Sequence, residues 1–478
     1  SNLLSINGFI LAFIKVITMS VSIINTMILS RLLTLSEYGT YSALLIIISI
    51  FTIVTNMGME NAINYFYNKY PEKKGLYIGN IFLIITVTGV IAACIIFAGR
   101  DFFVDFYDND ALKSLIIYIC LKPLLDNLVS IFQPLYISLN RTGVIAIRNL
   151  IVSILKVIFV PLSFYYTHNI STIFVVQIII DIIQIFSLYF ILDKKTREIL
   201  LSKPDLTAMK DVLRYAVPLG LALMAGTLFK ESDKLIISWF MGVEKLAIYS
   251  NMSKQLPFEF VVTAFSAVVV PAIVKNIKKS KNAVVDLWKN YFELSYIISF
   301  TLCFGAIICS KELLIFLYSE SYLSGLNIFI VYLFVELFRF TFFGIILSAT
   351  GNTRKILFSS IISLFINILL NFLFYYIFGF IGPAIASLVT VIIMNSMQFI
   401  FSCKVLNIKI VEIVDFKKMC LFVFKMIIVS VFVLCIKIFI SKLFNSYLFS
   451  LFICYLLFVV INLFISRKRI KYLFLNLK

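Results

Sequence analysis

ILSRLLTLSEYGTYS at residues 28–42 and IISWFMGVEKLAIYS at residues 236–250 align without a gap at an offset of about 208, Ser30 falling on Ser238 and Tyr41 on Tyr249. A second register, near 210, lays Ser153 on Ser363 and the pair Tyr165, Tyr166 on Tyr375, Tyr376. Two matches at nearly one offset favour an internal duplication over chance.

Each copy is built of apolar stretches long enough to cross a bilayer. Of 478 residues, 62% are hydrophobic and 14% charged, with mean hydropathy +1.04, more apolar surface than one soluble core can hide. Fourteen candidate spans run from 8–30 to 446–466, among them 40–64 and 112–138, and the spacing predicts an all-α polytopic membrane protein. A β-barrel is excluded, because its strands would alternate polar and apolar residues. Six spans per repeat is an even number, so both copies insert with the same orientation about a pseudo-two-fold axis along the membrane normal. The expected architecture is two six-helix lobes around a central cavity, with two extra C-terminal helices. The expected boundaries are 1–195 for the first lobe, 196–213 for a cytoplasmic linker, 214–403 for the second lobe and 404–478 for helices 13 and 14 with a basic tail.

The net charge of +18 reflects placement more than binding. Lys and Arg are several-fold more abundant in the even-numbered connections and the tail, for example Lys73, Lys74, Lys194, Lys195 and Arg467, than in the odd-numbered ones. The positive-inside rule then puts both termini in the cytoplasm. These basic clusters read as topology signals and contacts to anionic membrane lipids, not as a nucleic-acid surface. Eight cysteines lie mostly within spans at no metal-like spacing, so neither a disulfide framework nor a metal site is expected. The first apolar run is too long for a cleavable signal and reads as the first span.

SRLLTLSEYGTYS at 30–42, NMGMENAINYF at 56–66, YAVPLGLALMAGTLFKESDKLIISWFMGVEKLAIYS at 215–250 and LSATGNTRK at 347–355 together resemble bacterial polysaccharide flippases, the exporters of O-antigen and capsular repeat units. The resemblance spans essentially the whole chain and places it in the superfamily of multidrug, oligosaccharidyl-lipid and polysaccharide exporters. It implies a bacterial cytoplasmic (inner) membrane and a substrate of undecaprenyl-diphosphate-linked oligosaccharide. It further implies alternating access coupled to a proton or sodium gradient, with polysaccharide polymerase machinery as a partner. A multidrug cation antiporter and a peptidoglycan-precursor flippase share the fold and remain open.

An ionisable side chain at mid-bilayer depth costs about 2.5–3.5 kcal/mol on insertion scales, so each needs a partner, a wet cavity or a function. The intramembrane cations are Lys15, Lys122, Lys230, Lys234, Lys254 and Arg339. They lie on helices that in the resembling family largely line the cavity, where they would replace the hydration of a diphosphate. The competing reading is local neutralisation, since Lys122 and Asp126, Lys230 and Asp233, and Glu336 and Arg339 are three or four apart on one helical face. Lys15 has no acidic neighbour in sequence, which makes it the leading lumen cation. Lys156 and Asp181 are equally distant from the turn at His168 and Asn169, so a hairpin brings them to one depth as an expected ion pair. Arg31, Glu60, Asp126, Asp181, Asp233 and Glu336 are the candidates for gating or ion coupling.

The sequence offers no sign of a cofactor site. A Walker-type glycine loop is absent, and the single histidine, His168, sits in a short loop. An enzyme is therefore disfavoured. A membrane-embedded polymerase or ligase would need acid and base groups converging near Arg100 and Asp101–Asp110, and a scaffold would not need so many intramembrane charges.

Overall fold

A computed structural model describes residues 2–277, 280–443 and 447–475, with side chains described from residue 14 onward except those of Lys15 and of residues 259–264, 267, 268 and 441–443. Among the described residues every regular element is a helix. Among the described residues, eleven helical stretches are long and apolar enough to cross a membrane, Thr353–Leu406 holding two helices joined by a tight turn. The protein is an all-α polytopic membrane protein. The chain divides into two compact units, Ser1–Ile248 and Tyr249–Lys478.

The first unit contains α1 (Asn2–Leu32), α2 (Leu35–Asn56), α3 (Met59–Lys69), α4 (Lys74–Ala98), α5 (Arg100–Tyr107), α6 (Ala111–Ile119) and α7 (Lys122–Ser138). It continues with α8 (Thr142–Thr167), α9 (Ile170–Ile191), α10 (Lys194–Leu200) and most of α11 (Leu206–Met252). Two apolar cores hold it, one around Tyr38, Tyr107 and Phe174 and one around Phe66, Phe132 and Tyr136.

Several expected spans are broken where the sequence reading has them continuous. The span at 40–64 is interrupted by Met57 (φ 44°) and Gly58 (φ 79°), both in the left-handed region that glycine enters at little cost. The break brings backbone against backbone: a Cβ on Gly220 of α11 would lie 2.4 Å from the Met57 carbonyl carbon. The span at 112–138 is interrupted between Ile119 and Lys122, with Pro123 in the first turn of α7, where its missing N–H costs nothing. The turn between α1 and α2 carries a capping box, Thr34 Oγ1 accepting from the Glu37 N–H while the Glu37 carboxylate accepts from the Thr34 N–H. Gly39 lies in the next turn, where a Cβ would meet the Val243 carbonyl oxygen at 1.9 Å.

The second unit comprises α12 (Glu259–Asn276), α13 (Lys281–Ile308), α14 (Ser310–Leu317), α15 (Leu326–Phe338), α16 (Ile345–Ala349), α17 (Thr353–Phe378), α18 (Gly382–Leu406), α19 (Ile410–Ile413), α20 (Phe416–Leu443) and α21 (Tyr447–Leu475). Three of its helix starts repeat those of the first: Lys74, Arg100 and Thr142 open helices, as do Lys281, Ser310 and Thr353 about 207–211 residues on. The core centres on Trp288, Tyr291, Phe292 and Phe399. Ion pairs fasten the last two helices to it. Lys437 of α20 reaches Glu312 Oε2 at 2.7 Å, and Arg469 of α21 grips the Glu293 carboxylate through two contacts of 2.6 Å.

Candidate functional site

The charged centre of the first unit grows from the α8–α9 hairpin. His168 ends α8 in the left-handed conformation, and Asn169 caps α9, its side chain accepting from the Ser171 N–H at 2.9 Å. With the turn fixed, Lys156 and Asp181 reach the same depth, Nζ 3.4 Å from Oδ1. Asp181 is only 2% exposed, so its charge needs more than one partner. Lys122, from the first turn of α7, donates to Asp181 Oδ2 at 2.6 Å, and Gln184 Nε2 donates to Oδ1 at 3.0 Å. Lys122 also binds Asp126 one turn along its own helix. The outcome is a continuous chain of charges, Lys156, Asp181, Lys122 and Asp126, running across α8, α9 and α7.

Each end of that chain opens on a cavity. Lys156 lines a cavity of about 380 Å³ between α1 and α8. Helix α8 explains it. Ile147, Ile151, Ile154, Ile158, Leu162 and Tyr165 recur at helical spacing and are 41–61% exposed, an apolar stripe suited to lipid. Asn149, Ser153 and Lys156 occupy the opposite face and meet Ser22 and Asn25 of α1 across the cavity. Polar stripes inside a membrane are tolerated where they line water or a ligand. Arg148 joins this wall. Its Nε and the Oδ1 of Asn25, both on residues that line the cavity, are buried without a hydrogen-bond partner in the chain. Counting Arg148, three cations face two carboxylates, so this side of the network carries surplus positive charge.

Asp126 lines the other cavity, of about 560 Å³, between α2, α3, α7 and α11. Its floor is an amide cluster at the α2–α3 break. Asn127 Nδ2 donates to Thr55 Oγ1 at 2.7 Å and to the Thr52 carbonyl at 3.0 Å. Asn56 Nδ2 lies 3.0 Å from Asn127 Oδ1 and 3.2 Å from Glu60 Oε1.

The sequence-derived candidates fall in several places. Lys122, Asp126, Lys156 and Asp181 are brought together; Lys122 itself lines neither cavity and is locked between carboxylates. Glu60 joins the second cavity. Lys234 pairs with Glu231 at 2.9 Å, a partner the sequence reading did not assign to it. Lys230 is exposed, Asp233 and Glu336 are buried, and Lys254 and Arg339 are half-buried. Arg31 is exposed at the end of α1, its NH1 donating to the Met27 carbonyl at 2.9 Å. The Lys15 side chain lies outside the described residues. Arg148 was missed, though its place one residue before Asn149, on a helix that also carries Ser153 and Lys156, is visible in the sequence. The amide cluster was missed because Asn and Thr are common enough in membrane helices to carry no signal until two helices align them. Near Arg100, Asp101 pairs with Lys113 at 2.9 Å, both well exposed.

The family described as "Polysaccharide biosynthesis protein" matches residues 4–277. Over 98% of the chain the fold superposes on a "Lipid II flippase MurJ, inward closed conformation", covering 100% of that protein at TM-score 0.71 and 16% identity. An inward-facing multidrug resistance MATE family transporter of the MOP superfamily aligns over 82% of this chain and 94% of its own, at TM-score 0.64 and 12% identity. A MOP superfamily transporter from Pyrococcus furiosus, described as having reversed polarity of its binding pocket, aligns over 84% and 95% at TM-score 0.58 and 12% identity. Among curated proteins no sequence match is found. The fold is thus one shared by multi-helix membrane transporters. The chain belongs to the polysaccharide biosynthesis protein family.

Proposed function

We propose that the chain is a flippase that carries an undecaprenyl-diphosphate-linked oligosaccharide, an O-antigen or capsule repeat unit, from the cytoplasmic to the outer leaflet of a bacterial inner membrane. In this reading it works by alternating access of fourteen helices arranged as two six-helix lobes, 1–195 and 214–403, joined by a linker at 196–213. Segment 404–478 is an appendix, and both termini are cytoplasmic. The family match and the whole-chain likeness to a lipid II flippase support the transport class. The observation that carries the substrate class is the cavity between α1 and α8, where Arg148 and Lys156 stand on a polar wall. Fixed donors there replace the water that a diphosphate sheds, and guanidinium adds bidentate geometry. A multidrug cation would be repelled by the same wall.

Lys15, Lys230, Lys234, Lys254 and Arg339 remain proposed contributors to the cationic lumen, Arg31 a proposed gate, and Glu60, Asp126, Asp181, Asp233 and Glu336 proposed sites for a coupling proton or sodium ion. Polymerase machinery is the proposed downstream partner. Binding of farnesyl diphosphate and of farnesol to the purified protein, followed by calorimetry, tests the reading. The diphosphate should bind at least tenfold more tightly, and Arg148→Gln should erase that margin. Equal affinities, or tighter binding of tetraphenylphosphonium than of either, would refute it.

A further inference from the structure

We infer that the cavity between α2, α3, α7 and α11 is a glycan-recognition subsite, separate from the cationic cavity between α1 and α8 that takes the diphosphate. Its volume, about 560 Å³, lies in the range of small-molecule sites, roughly 300–1,000 Å³, and far exceeds what one dehydrated ion fills. The wall chemistry is that of sugar recognition. Ser49, Thr52, Asn61, Ser130 and Thr227 offer hydroxyls and an amide, while Leu45, Ile48 and Leu223 offer apolar surface for the C–H face of a pyranose ring. Glu60 and Asp126 line it too, and carboxylates accept paired hydrogen bonds from adjacent hydroxyls.

Two further observations separate this cavity from an unoccupied gap. Thr52 Oγ1 is buried with no hydrogen-bond partner in the chain, a polar group in a bilayer protein that a ligand hydroxyl would satisfy. The floor is rigid in advance: Asn127, fully buried, is held by Thr52, Thr55 and Asn56, so little ordering is left for binding to supply. The two carboxylates also repel phosphate, which assigns the anionic and the sugar portions of one substrate to different cavities. Lys156, Asp181, Lys122 and Asp126 join the two sites. That proximity suits a head group in which sugar follows directly on diphosphate.

This inference rests on the lipid-linked saccharide reading, and the experiment separates the two. Purified protein in nanodiscs is titrated with farnesyl diphosphate and with farnesyl-diphosphate monosaccharides bearing a hexose, an N-acetylhexosamine or a uronic acid. At least one sugar should tighten binding about tenfold over the bare diphosphate. Thr52→Val, Ser130→Ala and Thr227→Val, each small enough to preserve the fold, should remove most of that gain and leave the affinity for bare farnesyl diphosphate within twofold. Arg148→Gln should weaken all four probes together. No gain for any sugar, or a gain that survives all three cavity substitutions, overturns the subsite. Failure of Arg148→Gln to weaken the probes, with the sugar gain still lost in Thr52→Val, counts against the diphosphate assignment and supports the subsite.

Discussion

Replacing Lys122 by Met tests the charge chain at its centre. The substituted side chain has similar length and fits the same space, so the perturbation is electrostatic. It leaves Asp181, 2% exposed, with Lys156 at 3.4 Å and the amide of Gln184, while Asp126 loses its partner. Breaking a buried pair by removing one member costs about 3–5 kcal/mol, because the remaining charge is stranded in low dielectric. Asp126 contributes the smaller part, since its side chain is 30% exposed and water can take over. The expected result is a fall in apparent melting temperature on the order of 10 °C in detergent, given about 2–4 °C per kcal/mol for a unit of this size. Adding Asp181→Asn should restore more than half of the loss, because the stranded charge is then gone, and the double-mutant cycle should give a coupling of about 1.5–3 kcal/mol. A Lys122→Met protein that melts within 2 °C of the parent, or a double variant with strictly additive losses, would refute the network as an energetic unit.

Other consequences are open to direct measurement. Gly220→Ala places a methyl group 2.4 Å from the Met57 carbonyl carbon, backbone that cannot yield cheaply, so monodisperse protein should fall severalfold in fluorescence-detected gel filtration; an unchanged profile would show that the α2–α3 break tolerates displacement. Arg469→Met removes both contacts to Glu293, and because the Arg469 side chain is 40% exposed the loss should be about 1 kcal/mol, read as a drop of a few degrees in melting temperature that Arg469→Lys only partly corrects. In a cysteine-free background, a single cysteine at Asp108 should react with an impermeant maleimide added outside cells and one at Lys195 should not; the reverse pattern would invert the proposed topology.

Much of the scaffold was readable from residue order because hydrocarbon imposes one solution on apolar runs. The α8–α9 hairpin shows how far this goes: equal spacing of Lys156 and Asp181 from a two-residue turn was enough to place them together. What escaped depends on contacts between helices distant in sequence. The i,i+4 spacing of Lys122 and Asp126 made their pairing one of two open readings, but the contact of Lys122 across to α9, the one that makes a chain out of two pairs, follows from how α7 packs and has no local signature. The break at Met57 and Gly58 falls in TNMGMEN, where the glycine and its polar neighbours were visible but the close approach of α11, about 160 residues on, was not. Glu293 with Arg469, and Glu312 with Lys437, join residues more than 120 positions apart and were equally invisible.

The central claim is that cations of the first unit hold an anionic saccharide carrier while it crosses the bilayer. Its most direct test is reconstitution of the protein into vesicles carrying a fluorescent undecaprenyl-diphosphate oligosaccharide, with the fraction of glycan reached by an external glycosidase followed over time. The account predicts rapid exposure of the inner-leaflet pool with the parent protein and at least a tenfold slower rate when Arg148 and Lys156 are both replaced by Gln. Exposure no faster than in protein-free vesicles, or a rate untouched by the double replacement, would contradict it.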